Sequence, residues 1–337
     1  MDLYEQQASN RRATALIIMA FVAFFLVIGI GADVFVLNYH VPGIEGRAPR
    51  IAMAGDGNLR SIRALGGFKY PFATIIALMI AGVFMANAFF RGTKMVLKSV
   101  HAYRANPDIP QHRQLLNVVE EMKIASGLPM PEVYIIPDAD LNAFATGLHQ
   151  EGACVAVTEG LLLRLNREEL QAVVAHELSH IHNMDMRMMT ILAAMAGAIV
   201  LIADMLGRYM FFGRGSGERR SGGGPLMVVW IILLILSPII VNLMAMAVSR
   251  RREYLADATA AEFTRNPLAL VSALKKISGA VEPTRSIGKG VAHMCIEDPR
   301  GSEFSSGTDS FSNMFSTHPP VTARIEALEA MAYQNNS

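Results

Sequence analysis

The residues best placed to do chemistry lie in the run AHELSH, residues 175–180. On a helix, His176 and His180 are one turn apart and project from the same face, so both imidazoles can reach one ion. Glu177 lies beside them, where its carboxylate can hold a water molecule near the metal without binding the metal itself. This is the H-E-x-x-H arrangement of zinc peptidases, which combines two ligands with a general base. The alternative interpretation is a surface helix with two ordinary histidines.

A catalytic zinc site that keeps its fourth position for water needs a third protein ligand. The best candidate is Glu253, which follows a long apolar stretch and so emerges at the same membrane level as the two histidines. Asp257 lies one turn further on, where it could accept the outer ring N–H of His176 or His180 and fix its tautomer. Without the upstream motif, both acids would be interpreted as solvated charges beside the arginines at 250–252. We expect one Zn2+ per chain.

The composition indicates a membrane protein. Of the 337 residues, 52% are hydrophobic and only 18% are charged, which is too apolar for an ordinary soluble chain of this length. The formal net charge of +1 gives no indication of a nucleic-acid partner. The two cysteines are far apart, match neither a disulfide nor a zinc-ligand spacing, and fit a reducing compartment.

Four apolar runs are long enough to cross a bilayer core of about 30 Å as helices. The first is too long for a signal peptide and is interpreted as an uncleaved anchor. The expected spans are 13–32, 71–90, 188–206 and 225–248. Between them we expect a cytosolic N-terminus (1–12), an extracytoplasmic connector (33–70), a Gly-rich loop (207–224) and one peptidase domain in two parts (91–187 and 249–337).

The helix that carries the histidines is expected to continue into the third span, because no Gly or Pro follows His180 before Gly197. From His180 to Met188 is eight residues, or about 12 Å of helix, so the site would lie just above the bilayer surface. Asp185 is expected to be a helix-surface or interface charge. Basic residues flank the first two spans on the side of the N-terminus, which places that side in the cytoplasm. The basic connector 33–70 argues for the opposite orientation.

Between about residues 104 and 187 the chain is typical of a globular α+β domain. PEVYIIPD is a short strand-like run, and two more short apolar runs follow in LNAFATG and ACVAVTEG. Asn166 is the predicted N-cap of the histidine helix. The predicted fold is therefore a mainly α integral membrane protein with about four transmembrane helices and a cytosolic α+β domain containing a small β-sheet. The Gly/Ser-rich loop 281–316 is a candidate lid.

Three segments resemble the HtpX-type membrane zinc metalloproteases, which are relatives of the CAAX prenyl proteases within the gluzincins. They are AHELSHIHNMD, SRRREYLADATAAEF and STHPPVTARIEAL, and the likeness extends from about residue 128 to residue 328. The resemblance implies a gluzincin-type zinc peptidase domain. The roles that it implies are zinc ligand for His176, His180 and Glu253, general base for Glu177, and support of a ligand histidine for Asp257.

The resemblance also implies a substrate groove along an edge strand. LNAFATG is similar to the family's edge-strand motif, beside which a peptide would form main-chain hydrogen bonds. His318 in THPP is similar to a family histidine near the active site, where it would steady the developing oxyanion. Arg324 is either an ordinary helix charge or a contact with a substrate carbonyl. The groove residues implied by the motif are Asn142, Ala143, Phe144 and Ala145.

The implied activity is that of a zinc metalloendopeptidase in a bacterial cytoplasmic (inner) membrane. Its active site would face the cytoplasm and cleave misfolded or damaged membrane proteins, with self-cleavage as a further expectation. The expected partners are polypeptide substrates and the lipid bilayer. A metal-binding scaffold or transporter is the alternative class, but the ligands lie outside the predicted spans and a structural zinc would need a fourth protein ligand. A CAAX-type prenyl-protein protease would require more than four spans.

Overall fold

The computed structural model describes residues 3–35, 70–212, 251–279, 294–296 and 319–334. Several predicted features lie wholly or largely outside these ranges: the connector 33–70, the Gly-rich loop 207–224, the fourth span 225–248, the lid candidate 281–316 and His318.

The described chain is mostly helical and contains one small sheet, as the sequence predicts. The helices are α1 (Leu3–Phe35), α2 (Phe72–Ser99), α3 (Pro110–Ser126), α4 (Glu159–Arg164), α5 (Arg167–His182), α6 (Asp185–Phe212), α7 (Arg251–Thr264), α8 (Pro267–Ser278) and α9 (Val321–Gln334). The strands are β1 (Tyr103–Arg104), β2 (Glu132–Ile136), β3 (Ala143–Thr146) and β4 (Cys154–Thr158).

Three of the described helices contain stretches that are long and apolar enough to cross a membrane. The stretches are Arg12–Asp33 in α1, Phe72–Ser99 in α2 and Asp185–Ile202 in α6. They overlap the first three predicted spans, so the described residues contain several candidate membrane-spanning helices.

The chain divides into two compact units. One comprises residues 1–17, 87–197 and 242–337 and contains the sheet and the histidine helix, and the other comprises residues 18–86 and 198–241. Within the second unit, Asp33 ends the first apolar stretch and is buried. Its carboxylate accepts hydrogen bonds from the backbone N–H groups of Ala73 and Thr74, each at 2.8 Å, and so caps the start of α2.

The sheet places β3 at one edge. The strand order is β1-β2-β4-β3, in which β2 and β4 are parallel and the two outer strands run antiparallel to their neighbours. Strand β4 is buried along its whole length, and α5 packs close to β3. One side of β3 is therefore not paired within the sheet, and its backbone groups can bind another extended segment there.

The start of α5 is fixed by a capping box, which confirms the predicted cap. The Asn166 side chain accepts a hydrogen bond from the Glu169 backbone N–H, and the Glu169 carboxylate accepts one from the Asn166 backbone N–H. The same carboxylate accepts hydrogen bonds from the Ser272 hydroxyl at 2.6 Å and from the Lys276 ammonium at 2.7 Å. Glu169 therefore fixes the start of α5 and also ties α5 to α8.

The prediction of one continuous helix from the histidine motif into the third span is wrong. Helix α5 ends at His182, and Met184 adopts a left-handed conformation with a φ of 60° before α6 begins at Asp185. The intervening Asn183 donates its backbone N–H to the Ser179 carbonyl at 2.8 Å. Asn is a residue that favours helix ends, because its short side chain competes for backbone hydrogen bonds. The absence of Gly and Pro was therefore not enough to predict a continuous helix.

Candidate active site

Helices α5 and α7 pack side by side and bring the three predicted zinc ligands together. Nε2 of His176 lies 3.3 Å from Nε2 of His180. The two carboxylate oxygens of Glu253 lie 3.7 Å and 3.9 Å from these nitrogens. Ligand atoms held tetrahedrally at about 2.0–2.1 Å from one zinc ion are separated by about 3.4 Å. The spacing therefore fits a single small cation bound by all three side chains.

Behind His176 lies a buried ion pair. Nδ1 of His176 lies 3.0 Å from Oδ1 of Asp257. Arg324 donates to the same carboxylate through two nitrogens, from Nε at 2.8 Å and from Nη2 at 2.7 Å. Because the arginine holds the acid and the acid faces the outer nitrogen of the ring, the inner nitrogen of His176 is directed toward the other two ligands. The structure thus places Asp257 beside His176 rather than His180.

The electrostatics of this cluster favour a positive charge near the ligands. Burial lowers the pKa of His176, but hydrogen bonding to Asp257 and Glu253 outweighs burial and raises that pKa to about 9. Burial acts in the opposite direction on Asp257, yet the charge and hydrogen bonds of Arg324, with those of His176, hold the pKa of Asp257 below its ordinary value. A pocket that stabilises an imidazolium also stabilises a bound cation in its place.

Glu177 lies on the same helix and lines the same pocket as the three ligands. It is buried, and burial raises its pKa above the ordinary value, although the charges of His176 and His180 act in the opposite direction. The backbone of Ala145 forms a hydrogen bond with the Glu177 carboxylate. Among the described residues no donor reaches Oε2 of Glu177. This oxygen is therefore available to accept a proton from a small molecule in the pocket.

The predicted groove residues divide into two groups. Ala145 lines the pocket with the ligands, and the carbonyl of Ala143 accepts a hydrogen bond from the backbone N–H of Ile296 at 3.1 Å. The side chains of the other two residues are buried and support the strand. Phe144 is fully buried, and the Asn142 side chain accepts the backbone N–H of Ala143 at 3.1 Å. We therefore expect main-chain recognition at Ala143, rather than side-chain contacts from all four residues.

A short piece of the candidate lid lies along this edge. Met294, Cys295 and Ile296 are buried, and all three line the pocket that contains the ligands. Ile296 donates its backbone N–H to β3, and its own carbonyl accepts a hydrogen bond from Nη1 of Arg324 at 3.0 Å. The backbone N–H and carbonyl of Ile296 are thus held between β3 and Arg324.

Two predicted roles change with the structure. Arg324 is not an ordinary helix charge, because its side chain is fully buried against Asp257. Of the two roles expected for Asp185, that of a helix-surface charge is excluded, because the residue is buried and one of its oxygens lies 3.5 Å from Nδ1 of His180. The sequence feature that could have indicated this placement is Asn183, because Asn favours helix ends and a break there separates Asp185 from α5.

Comparison with known proteins gives a consistent result. The model of peptidase family M48 matches residues 110–332. A protease HtpX homolog from Streptococcus uberis is 37% identical over 98% of this chain and 100% of its own. A protease HtpX homolog from Limosilactobacillus fermentum is 38% identical over 98% of this chain and 100% of its own. The crystal structure of S. mikatae Ste24p is 18% identical, with a TM-score of 0.43, over 77% of this chain and 59% of that chain.

Proposed function

This chain belongs to peptidase family M48, and from that premise we propose that it is a membrane-embedded zinc endopeptidase. The observation that carries the proposal is the convergence of His176, His180 and Glu253 on one point beside the buried carboxylate of Glu177. Two histidines and one carboxylate are the ligand set of a catalytic zinc site, which leaves a position for water or substrate. A metal-binding scaffold without proteolytic activity is not favoured by membership of a peptidase family.

Each side chain has a distinct task in this proposal. When bound, zinc would polarise the scissile carbonyl and make a nearby water more acidic. Glu177 accepts the proton of the attacking water at its buried carboxylate and returns it to the leaving amine. The raised pKa of Glu177 suits the first step, because a more basic carboxylate takes up the proton of the attacking water more readily. Asp257 and Arg324 keep His176 in one orientation and one tautomer.

The substrate is proposed to be an extended polypeptide. The outer side of β3 offers the Ala143 carbonyl to a main-chain N–H, as it does to Ile296. Arg324 donates a hydrogen bond to the main-chain carbonyl of Ile296. Recognition through backbone groups is largely independent of substrate sequence, because specificity in such complexes comes from the side-chain pockets. The proposed oxyanion role of His318 lies outside the described residues.

The location of the site supports substrates at the membrane surface. Asp185 is the first residue of the third apolar stretch and also contacts the ligand His180. The catalytic residues therefore lie at the end of a candidate span. With the basic residues around the first two spans, this supports an active site on the cytoplasmic face of a bacterial inner membrane. We propose misfolded or damaged membrane proteins as substrates, with cleavage of its own chain as a second activity.

The test combines zinc content with casein cleavage by the purified full chain in detergent. Three proteins are compared: the wild type, Glu177→Gln and the control Glu168→Gln, which makes the same change at an exposed position of the same helix. We expect one zinc per chain in all three and cleavage only by the wild type and the control. Cleavage should stop with a chelator and return with added zinc.

Full activity in Glu177→Gln would exclude the proposed base. Zinc in all three proteins without cleavage in any of them would favour the metal-binding scaffold.

A further inference from the structure

The second ligand histidine has its own buried carboxylate, and we infer that Asp185 is a positioning residue for the zinc ligand His180. The inference rests on the proposed zinc site and extends it by one residue. Nδ1 of His180 lies 3.5 Å from Oδ2 of Asp185, while Nε2 of the same ring faces His176 and Glu253. His176 shows the same arrangement, with Nε2 toward the other ligands and Nδ1 facing Asp257.

The break between α5 and α6 makes this contact geometrically feasible. In a continuous helix, a residue five positions after His180 would point about 140° away from it. The left-handed conformation at Met184 interrupts the helix, and Asp185 then lies beside His180 on the side of α5 that carries the ligands. A left-handed backbone at a residue other than Gly or Asn is uncommon and strained. The strained backbone at Met184 therefore has a function, because it allows Asp185 to position a ligand histidine.

Asp185 is itself held in place. It is 1% exposed, and its other oxygen, Oδ1, accepts a hydrogen bond from Nδ2 of Asn10 at 2.6 Å. The guanidinium of Arg252, also buried, is attracted to both Asp185 and Glu253. Asn10 precedes the first apolar stretch, so the N-terminal helix supports the zinc site through Asp185. The acid therefore has one contact to the ligand ring and separate contacts that fix its own orientation.

The separation between Asp185 and His180 predicts the size of the effect. At 3.5 Å it is a longer contact than the 3.0 Å between His176 and Asp257. Loss of a carboxylate that orients a ligand histidine typically weakens metal binding about 10- to 100-fold. We expect Asp185→Asn to raise the Kd for zinc about 10-fold, near the lower end of that range.

The experiment measures the Kd for Zn2+ of the full chain in detergent, by competition with a chromophoric chelator. Asp185→Asn and Asp185→Ala are compared with the wild type and with Asp204→Asn. Asp204 lies on the same helix, but it is exposed and paired only with Arg208 one turn away among the described contacts. The unfolding temperature of each metal-free protein is measured in parallel. A purely structural role for Asp185 would lower that temperature and leave the Kd of the folded protein unchanged.

Support for the inference is an approximately 10-fold or greater increase in Kd for both Asp185 variants, with a change of less than about twofold for Asp204→Asn. Asn10→Ala should weaken binding by less, and it should add nothing in the Asp185→Ala background, because Asn10 acts through Asp185. Wild-type affinity in Asp185→Ala would overturn the inference and leave the zinc site intact. Absence of zinc binding by the wild type would overturn both.

Discussion

The ion pair between Arg324 and Asp257 allows a quantitative prediction about stability. Both side chains are almost fully buried, and the guanidinium donates two hydrogen bonds to the carboxylate, at 2.8 Å and 2.7 Å. Arg324→Met removes the partner and leaves an ionised acid in a buried site. Breaking one side of a buried pair typically costs about 3–5 kcal/mol. In a unit of about 220 residues, each kcal/mol lowers the unfolding temperature by about 2–4 °C, so a decrease of roughly 10 °C is expected.

The matched control is Lys275→Met. This change removes a salt bridge between Lys275 on α8 and Glu329 on α9, two neighbouring helices of the same unit. That bridge spans 3.0 Å, but both of its side chains are exposed. Exposed pairs contribute about 0–1 kcal/mol, so the control should unfold within a few degrees of the wild type. The assay is thermal unfolding followed by circular dichroism, with chelator present so that bound metal does not contribute to stability.

A second variant distinguishes the proposed cause from a loss of packing. Arg324→Met combined with Asp257→Leu removes both charges and should be more stable than Arg324→Met alone, because no unpaired charge remains. Two results would refute the reasoning: an unfolding temperature for Arg324→Met equal to that of the control, or a double variant less stable than the single one. Either would mean that Asp257 does not depend on Arg324 to remain charged in the folded protein.

Two further predictions concern the third ligand and the support of α5. Glu253→Ala removes one of three ligands, so the zinc content of the purified protein should fall well below one per chain; unchanged metal content would assign the third ligand elsewhere. Burial alone would raise the pKa of Glu169, but hydrogen bonds from Lys276, Ser272 and the Asn166 backbone outweigh burial and lower that pKa. The ionised Glu169 therefore stabilises the folded state at pH values above the ordinary carboxyl pKa of about 4.5. This contribution is lost as the pH falls through the lower pKa of the folded state. Glu169→Gln should therefore be less stable at pH 7 and lose less stability between pH 7 and pH 3, and a wild-type acid profile would contradict this.

The sequence predicted the features that depend on short spacings. The one-turn separation of His176 and His180 places both rings on one face of α5, and the N-cap at Asn166 was predicted from its place before the first helical turn. The small sheet and the first three apolar stretches were likewise readable from local composition. The histidine pair and the cap depend on groups within one turn of each other, and the strands and apolar stretches are each recognised from one continuous run of residues.

The features that the sequence did not predict depend on long separations or on a single backbone conformation. Arg324 meets Asp257 across 67 positions and Asn10 meets Asp185 across 175, and no local pattern indicates either pair. The contact of Asp185 with His180 depends on the left-handed conformation of Met184, a residue type that seldom adopts it. Of the two roles predicted for Asp185, helix surface or interface, its burial excludes the first.

The buried charges around the site give an independent argument for a divalent cation. Among the described residues around the site, four buried carboxylates, counted as ionised, lie near two buried guanidiniums, which is an excess of two negative charges in this group. An excess of one charge is costly to bury, and a protein without the cation can reduce that cost by binding protons. The raised pKa values of His176 and Glu177 are the expected response. A dication at the three ligands would balance the excess, whereas a monovalent ion would leave half of it. The carboxylates are Glu177, Asp185, Glu253 and Asp257, and the guanidiniums are those of Arg252 and Arg324.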